Sequence, residues 1–143
     1  MEERRQARGP ESGCGAIDEG KGARAVVVLD ANALMMPFQF KINLDLELQR
    51  LLGSFDVVVP STVVEELKNV AQAQKNSEAK VALKLARKYR IVPAEGRGDR
   101  AVLALALELK AVLLTNDADL RKRARNAGLR TACLRSRTHI EMV

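Results

Sequence analysis

Four acidic residues stand just past apolar runs in this chain of 143 residues: Asp30 after AVVVL, Glu66 soon after DVVV, Asp99 beyond the loop that follows YRIV, and Asp117 after AVLLTN. The runs are short, rich in Val, Ile and Leu, and bounded by turn residues, as buried strands are. In open α/β sheets, sites form outside the carboxyl ends of the strands. These acids are therefore placed where side chains from different strands can meet. Carboxylates that converge repel one another and raise each other's pKa. A divalent cation removes that repulsion, and a donor set of carboxylate oxygens alone suits Mg²⁺ or Mn²⁺. One histidine, His139, and two distant cysteines, Cys14 and Cys133, supply neither a zinc set nor a good Cys–His nucleophile pair. The segment EGRGD at 95–99 lacks the Lys-Ser/Thr of a triphosphate-binding loop.

Each acid also has an ordinary explanation. Asp after a strand caps the following helix, which would suffice for Asp99 or Asp117. Glu65 and Glu66 are acids in a first helical turn, where the helix dipole favours them. Helical phase separates these two. With Val63 at zero and about 100° per residue, Leu67 and Val70 define a buried stripe near roughly 30–40°. Glu66, near about 300°, lies on its shoulder and can reach a cleft, whereas Glu65, near about 200°, points to solvent. Thr62 and Glu65 also fit a capping box, which would give Glu65 a structural task.

The elements that must position these residues alternate. Strands are expected at Ala25–Leu29, Asp56–Val59, Tyr89–Val92, Ala111–Leu114 and Leu129–Leu134. Helices are expected at Asn32–Met36 (ended by Pro37), from the Asn43 cap to Leu52, over Val63–Ala73, from Ser77 through Lys88, over Arg100–Leu109 behind an Asp99 cap, and over Ala118–Asn126. Continuously apolar strands alternating with helices predict a three-layer α/β sandwich around a mainly parallel, five-stranded sheet. Right-handed crossovers then bring all the strand ends to one edge.

Residues 1–22 hold five of the nine glycines and almost no apolar residues, so a disordered N-terminal tail is expected, with one folded domain over 23–143. No apolar run is long enough to span a membrane and no signal peptide is recognisable, so the reading is cytoplasmic. The formal charge is +6, and seven basic residues with no acid fall between Arg121 and Arg137. Such a run is either a solvated helix face or the footprint of a polyanion. Leu120, Ala124 and Ala127 fall on one helical face, leaving Arg121, Lys122, Arg123 and Arg125 to solvent within a turn of Asp117. With one Tyr, three Phe and no Trp, recognition of a nucleic acid would rest on phosphate and shape rather than base stacking.

Asp30 in VVVLDAN, Glu66 in PSTVVEEL, Asp99 in GDRAVLALA and Asp117 in LLTNDADL together resemble the four acidic motifs of PIN domains, in order and spacing, over residues 25 to about 135. The chain looks closest to archaeal versions. The resemblance implies a strand order of 3-2-1-4-5, with Asp30 and Asp117 side by side at the switch point. It implies an Mg²⁺- or Mn²⁺-dependent endoribonuclease with Asp30, Glu66, Asp99 and Asp117 as catalytic and metal-binding residues. Asp119 either ligates through water or caps its helix. Asn32 and Thr115 would orient the aspartates, and Arg121, Lys122 and Arg125 would bind RNA. The resemblance further implies a homodimer, with apolar residues of the second and fourth helices (Leu44, Leu46, Leu48, Leu51, Leu52, Val81, Leu83, Leu85) as its surface unless they face their own core. The role would lie in rRNA processing, with a ribosome-biogenesis partner, or in a toxin–antitoxin pair, with an antitoxin. The alternatives are a non-catalytic PIN-like RNA-binding or assembly module and a phosphoacceptor domain. The latter would want a lysine near the last strand, where Arg135-Ser136-Arg137 stands.

Overall fold

The computed structural model describes residues 24–74 and 77–143. The expected tail, residues 1–22, and the expected domain start at Ala23 lie outside the described residues. Strands β1 (Ala25–Leu29), β2 (Phe55–Pro60), β3 (Arg90–Val92), β4 (Val112–Leu114), β5 (Thr131–Arg135) and β6 (His139–Met142) form one sheet. Its order is β3-β2-β1-β4-β5-β6. The first five strands pair in parallel and β6 is antiparallel to β5. The sheet therefore has six strands rather than the expected five, while the predicted order of the first five is found.

Six helices, α1 (Ala31–Phe40), α2 (Leu44–Leu52), α3 (Ser61–Gln74), α4 (Ser77–Ala86), α5 (Gly98–Leu109) and α6 (Ala118–Asn126), account for the helical segments among the described residues. The core is aliphatic. Val27, Val28 and Leu29 of β1, Val59 of β2 and Leu113 and Leu114 of β4 are enclosed, with Leu34, Leu48, Leu67 and Leu120 packed from the helices. No helix among the described residues is long and apolar enough to cross a membrane.

Four helix ends differ from expectation by two residues or more, the simplest being α4, which ends at Ala86 rather than Lys88. Helix α1 runs through Pro37 to Phe40. Pro37 cannot donate the bond to the Ala33 carbonyl, but Met36 is buried and Phe40 packs on the core, which holds the last turn in place. Helix α3 begins at Ser61, so Thr62 is already inside it. Its hydroxyl is buried with no partner among the described residues, and the Thr62–Glu65 capping box does not form. Helix α5 begins at Gly98 with Arg97 as its N-cap, which puts Asp99 inside the first turn rather than at the cap. Gly96 (φ 89°) and Gly98 (φ 58°) adopt the left-handed backbone that lets the loop after β3 turn into this helix.

Strand β6 is fixed from a distance. The Ile140 N–H donates to Glu47 Oε1 at 2.9 Å, and Arg50 Nη2 donates to the Ile140 carbonyl at 2.6 Å. These two α2 side chains occupy the outward hydrogen-bonding groups of an edge strand, which would otherwise be open to pairing. Of the apolar residues on α2 and α4 considered for a dimer surface, Leu44 and Leu48 are buried and Leu51, Leu52, Leu83 and Leu85 pack against the protomer's own core. Only Leu46 and Val81 of that set remain exposed.

Candidate active site

The sheet register builds the site. Leu29 pairs with Leu114, so the next residues, Asp30 and Thr115, leave neighbouring strands side by side. The Thr115 hydroxyl donates to Asp30 Oδ2, and the Ala33 N–H donates to Oδ1 at 2.8 Å. Asp30 is thus the N-cap of α1 as well as a candidate site residue. The Asp117 N–H donates back to Thr115 Oγ1 at 3.1 Å, so this one hydroxyl ties the loop after β4 to the end of β1. Asp117 caps α6 by accepting from the Asp119 and Leu120 N–H groups at 2.9 and 3.2 Å.

Asp30 is only 7% exposed. Burial pushes its carboxyl from 3.8 up to about 6; the Thr115 and Ala33 bonds oppose that rise, and the charges of Asp99 and Glu66 add to it. The Glu66 carboxyl is also raised, by partial desolvation first and the Asp99 charge second. Asp30, Glu66 and Asp99, carried by three different elements, therefore lie within one another's field. Glu65 is exposed and pairs instead with Lys68 at 3.3 Å, one turn along α3. The two adjacent glutamates thus face the way the helical phase predicts, although the capping role expected for Glu65 is absent.

Asp99 is tied to a residue the sequence left in solvent. Arg123 Nη1 lies 3.8 Å from Asp99 Oδ2 and 3.7 Å from Asp119 Oδ2, bridging α5 and α6. The cap of α6 is Asp117 rather than Asp119, whose carboxylate lies against Arg123. Arg121 is not free either, since its Nη1 donates to the Thr115 carbonyl at 3.2 Å. Lys122 and Arg125 are exposed as expected. Ala127, expected in the core, is exposed as the C-cap of α6. Asn32 is exposed, and the bonds that fix Asp30 come from Ala33 and Thr115, so Asn32 does not take the orienting role expected of it. Arg123 and Arg121 carried no signal in the sequence beyond their charge, because their partners lie on other elements or on the backbone.

As the side chains stand, no three Asp, Glu, His or Cys groups among the described residues are close enough to hold a metal ion together. Asp99 lies by Arg123, and Asp117 is engaged by its own helix. The donor chemistry nevertheless fits a hard divalent cation. A buried, repelled carboxyl beside two more acids is a place where added positive charge stabilises. The site also lies where the amino ends of α1, α3, α5 and α6 meet the carboxyl edge of the sheet.

A family model described as a PIN-like domain matches residues 27–137. Ribonuclease VapC4 of Methanocaldococcus jannaschii is 29% identical over 124 residues, covering 81% of this chain and 95% of that protein. Ribonuclease VapC9 of Archaeoglobus fulgidus is 26% identical over 132 residues, covering 88% of this chain and 97% of that protein. Among solved structures, the PIN domain endonuclease Utp24 superposes with a TM-score of 0.69 at 22% identity, covering 82% of this chain and 90% of that one. A domain of a functionally unknown M. jannaschii protein gives 0.61 at 18%, covering 78% and 92%. With four acidic motifs on successive strand ends, the matching sheet order and a family match over most of its length, the chain belongs to the PIN-like domain family.

Proposed function

We propose that this protein is an endoribonuclease that hydrolyses RNA phosphodiesters with Mg²⁺ or Mn²⁺ held by Asp30, Glu66, Asp99 and Asp117. The observation that carries the reading is the buried Asp30 carboxyl at the end of β1, held by Thr115 and facing the charges of Glu66 and Asp99. The names of the curated relatives, both ribonucleases, support the same substrate class. Bound there, a divalent ion supplies a water of lowered pKa and positive charge against the pentavalent transition state. The chain's own residues do the rest. Thr115 and the Ala33 N–H fix the Asp30 carboxylate, so that little reorganisation is needed during reaction. Glu66, on the shoulder of α3, orients the attacking water. Arg121 steadies the Thr115 carbonyl, and Lys122 and Arg125 on the outer face of α6 attract the RNA backbone. The ribonuclease relatives favour a toxin role with an antitoxin partner, and rRNA processing with a ribosome-biogenesis partner is the other role of the same site. A cytoplasmic homodimer belongs to the same reading.

Labelled single-stranded RNA incubated with purified protein tests it. Cleavage should require Mg²⁺ or Mn²⁺, stop in excess EDTA, and be lost in Asp30→Asn. Cleavage that persists in EDTA refutes the metal-dependent mechanism. One observation favours a second reading, a non-catalytic RNA-binding module: Arg123 already neutralises part of the acidic cluster. That reading predicts RNA binding without cleavage under any divalent ion.

A further inference from the structure

The connection between β5 and β6 is a tight hairpin built from unsuitable residues. Thr138 N–H donates to the Arg135 carbonyl at 3.0 Å, closing a turn whose central residues are Ser136 (φ 53°) and Arg137 (φ 59°). Two positive φ values in succession define the type I′ hairpin turn, which Asn-Gly or Asp-Gly satisfies with least strain. Ser and Arg enter that region at a cost. Strained backbone that persists is a pointer to function rather than to folding. What the turn gains is charge: Arg135 and Arg137 flank Ser136, all three exposed. Arg135 lies 3.9 Å from Glu141, and Arg137 has no ion pair among the described residues.

Its position gives that charge a use. Strand β5 is parallel to β4 and β1, so its end lies on the same edge as Asp30 and Asp117. Asn116, the neighbour of Asp117, accepts from the Leu134 N–H at 2.9 Å, which fastens the site loop to the strand one residue before Arg135. Strands β1 and β5 are two apart in the sheet, roughly 10 Å. A chain of phosphates crossing the carboxylates would meet the turn within a few nucleotides.

We infer that the Arg135–Thr138 turn is a phosphate clamp for single-stranded RNA, with Arg137 as its free cation, holding the strand to one side of the bond that is cut. The inference rests on the nuclease reading for the position of that bond, but the binding it describes needs no catalysis.

The test is fluorescence anisotropy of a labelled single-stranded RNA oligonucleotide in EDTA, across a range of salt, beside thermal unfolding. The variant Ser136→Asn/Arg137→Gly installs the residues the turn geometry favours while removing the charge. It should melt a few degrees higher than wild type. It should also bind RNA about threefold to tenfold more weakly, with a log–log salt slope shallower by ~0.7. Ser136→Asn alone should keep wild-type affinity, and Arg137→Lys should largely keep it. A double variant that melts higher but binds RNA like wild type overturns the clamp and leaves the nuclease reading standing. A double variant that melts lower overturns the argument from strain. If polyglutamate displaces the RNA at wild-type turns as well as RNA competitors do, the turn is an acidic-protein contact and the phosphate assignment falls. Wild-type protein that binds no RNA overturns the clamp and the nuclease reading together.

Discussion

Replacing Asp30 by Asn should make the metal-free protein more stable while abolishing activity. The unfolded chain carries an Asp with a pKa near 3.8, and burial in the fold pushes it to about 6. The folded state therefore binds this proton more tightly than the unfolded state. A group with a raised folded pKa contributes fully below its unfolded value, and its contribution is lost as pH rises through the folded one. At ~1.36 kcal/mol per unit, the ionised carboxylate costs about 3 kcal/mol near pH 7.5 and about 1 kcal/mol near pH 4.5. Asn removes that cost. Its carbonyl can still accept from the Ala33 N–H, but the Thr115 hydroxyl loses its carboxylate acceptor, a loss of about 1 kcal/mol. The net expectation is about 2 kcal/mol of added stability near pH 7.5 and about zero near pH 4.5. For a domain of this size, that is a rise in Tm of roughly 6–10 °C at the higher pH. Urea denaturation of both proteins in EDTA at the two pH values measures it, and the carboxyls outside the Asp30, Glu66 and Asp99 group cancel in the difference. Adding Mn²⁺ should then stabilise wild type alone, through linkage, and narrow the gap. An Asn variant no more stable than wild type at pH 7.5, or equally stabilised at both pH values, refutes the claim that burial of this charge dominates its energetics.

Glu66→Gln should lower kcat by two orders of magnitude or more with little change in stability. Glu65→Gln should leave kcat intact and cost less than about 1 kcal/mol, since it removes only an exposed pair with Lys68; the reverse pattern in a steady-state assay would overturn the assignment. Arg123→Gln should tighten Mn²⁺ binding severalfold in an electron paramagnetic resonance titration, because it removes a positive charge held by Asp99 and Asp119; weaker binding would mean that Arg123 chiefly holds Asp99 in a productive position. Light scattering at micromolar concentration should return a dimer mass, with Leu46→Glu shifting it toward monomer; a monomer mass for the unmodified chain would rule that assembly out.

The parallel sheet could be read from the sequence because each of its strands is a short apolar run ended by a turn residue. The acids after those runs could be read for the same reason, since a parallel sheet has to deliver them to one edge. Strand β6 could not. His139-Ile140-Glu141-Met142 contains only one fully buried side chain, Ile140, and a pattern that short has no period to detect. Its pairing is decided by a hairpin of unfavoured residues and by Glu47 and Arg50 on a helix some 90 positions earlier in the chain. The extension of α1 past Pro37 was hidden in the same way, because a local helix breaker was overridden by burial of the residues around it. At the site, helical phase separated Glu66 from Glu65. The capping box was a local pattern with no structural counterpart, because α3 starts a residue before Thr62.

The packing of α6 divides the basic residues that the sequence left to solvent. Three arginines and a lysine, read as one solvated stripe, fall into two classes once α6 is packed. Arg121 and Arg123 turn inward along the helix, one to a backbone carbonyl and one to Asp99 and Asp119. Lys122 and Arg125 stay outside. On the carboxylate floor, Arg123 of the inner pair lies against Asp99 and Asp119 and offsets part of the charge of those two acids, while Arg121 braces the Thr115 carbonyl beside them. The outer pair and Arg137 at the neighbouring turn have no ion pair among the described residues, and on the proposed reading they form the rim that an approaching phosphate meets. On the proposed reading, a polyanion is attracted to the rim and meets the acids only where positive charge has been added to them. That arrangement separates substrate attraction from cation binding, and predicts that salt weakens RNA association far more than it weakens Mn²⁺ binding at the half-enclosed floor. Parallel titrations of RNA and Mn²⁺ across the same salt series decide it: equal sensitivity of the two would mean that floor and rim are one electrostatic surface.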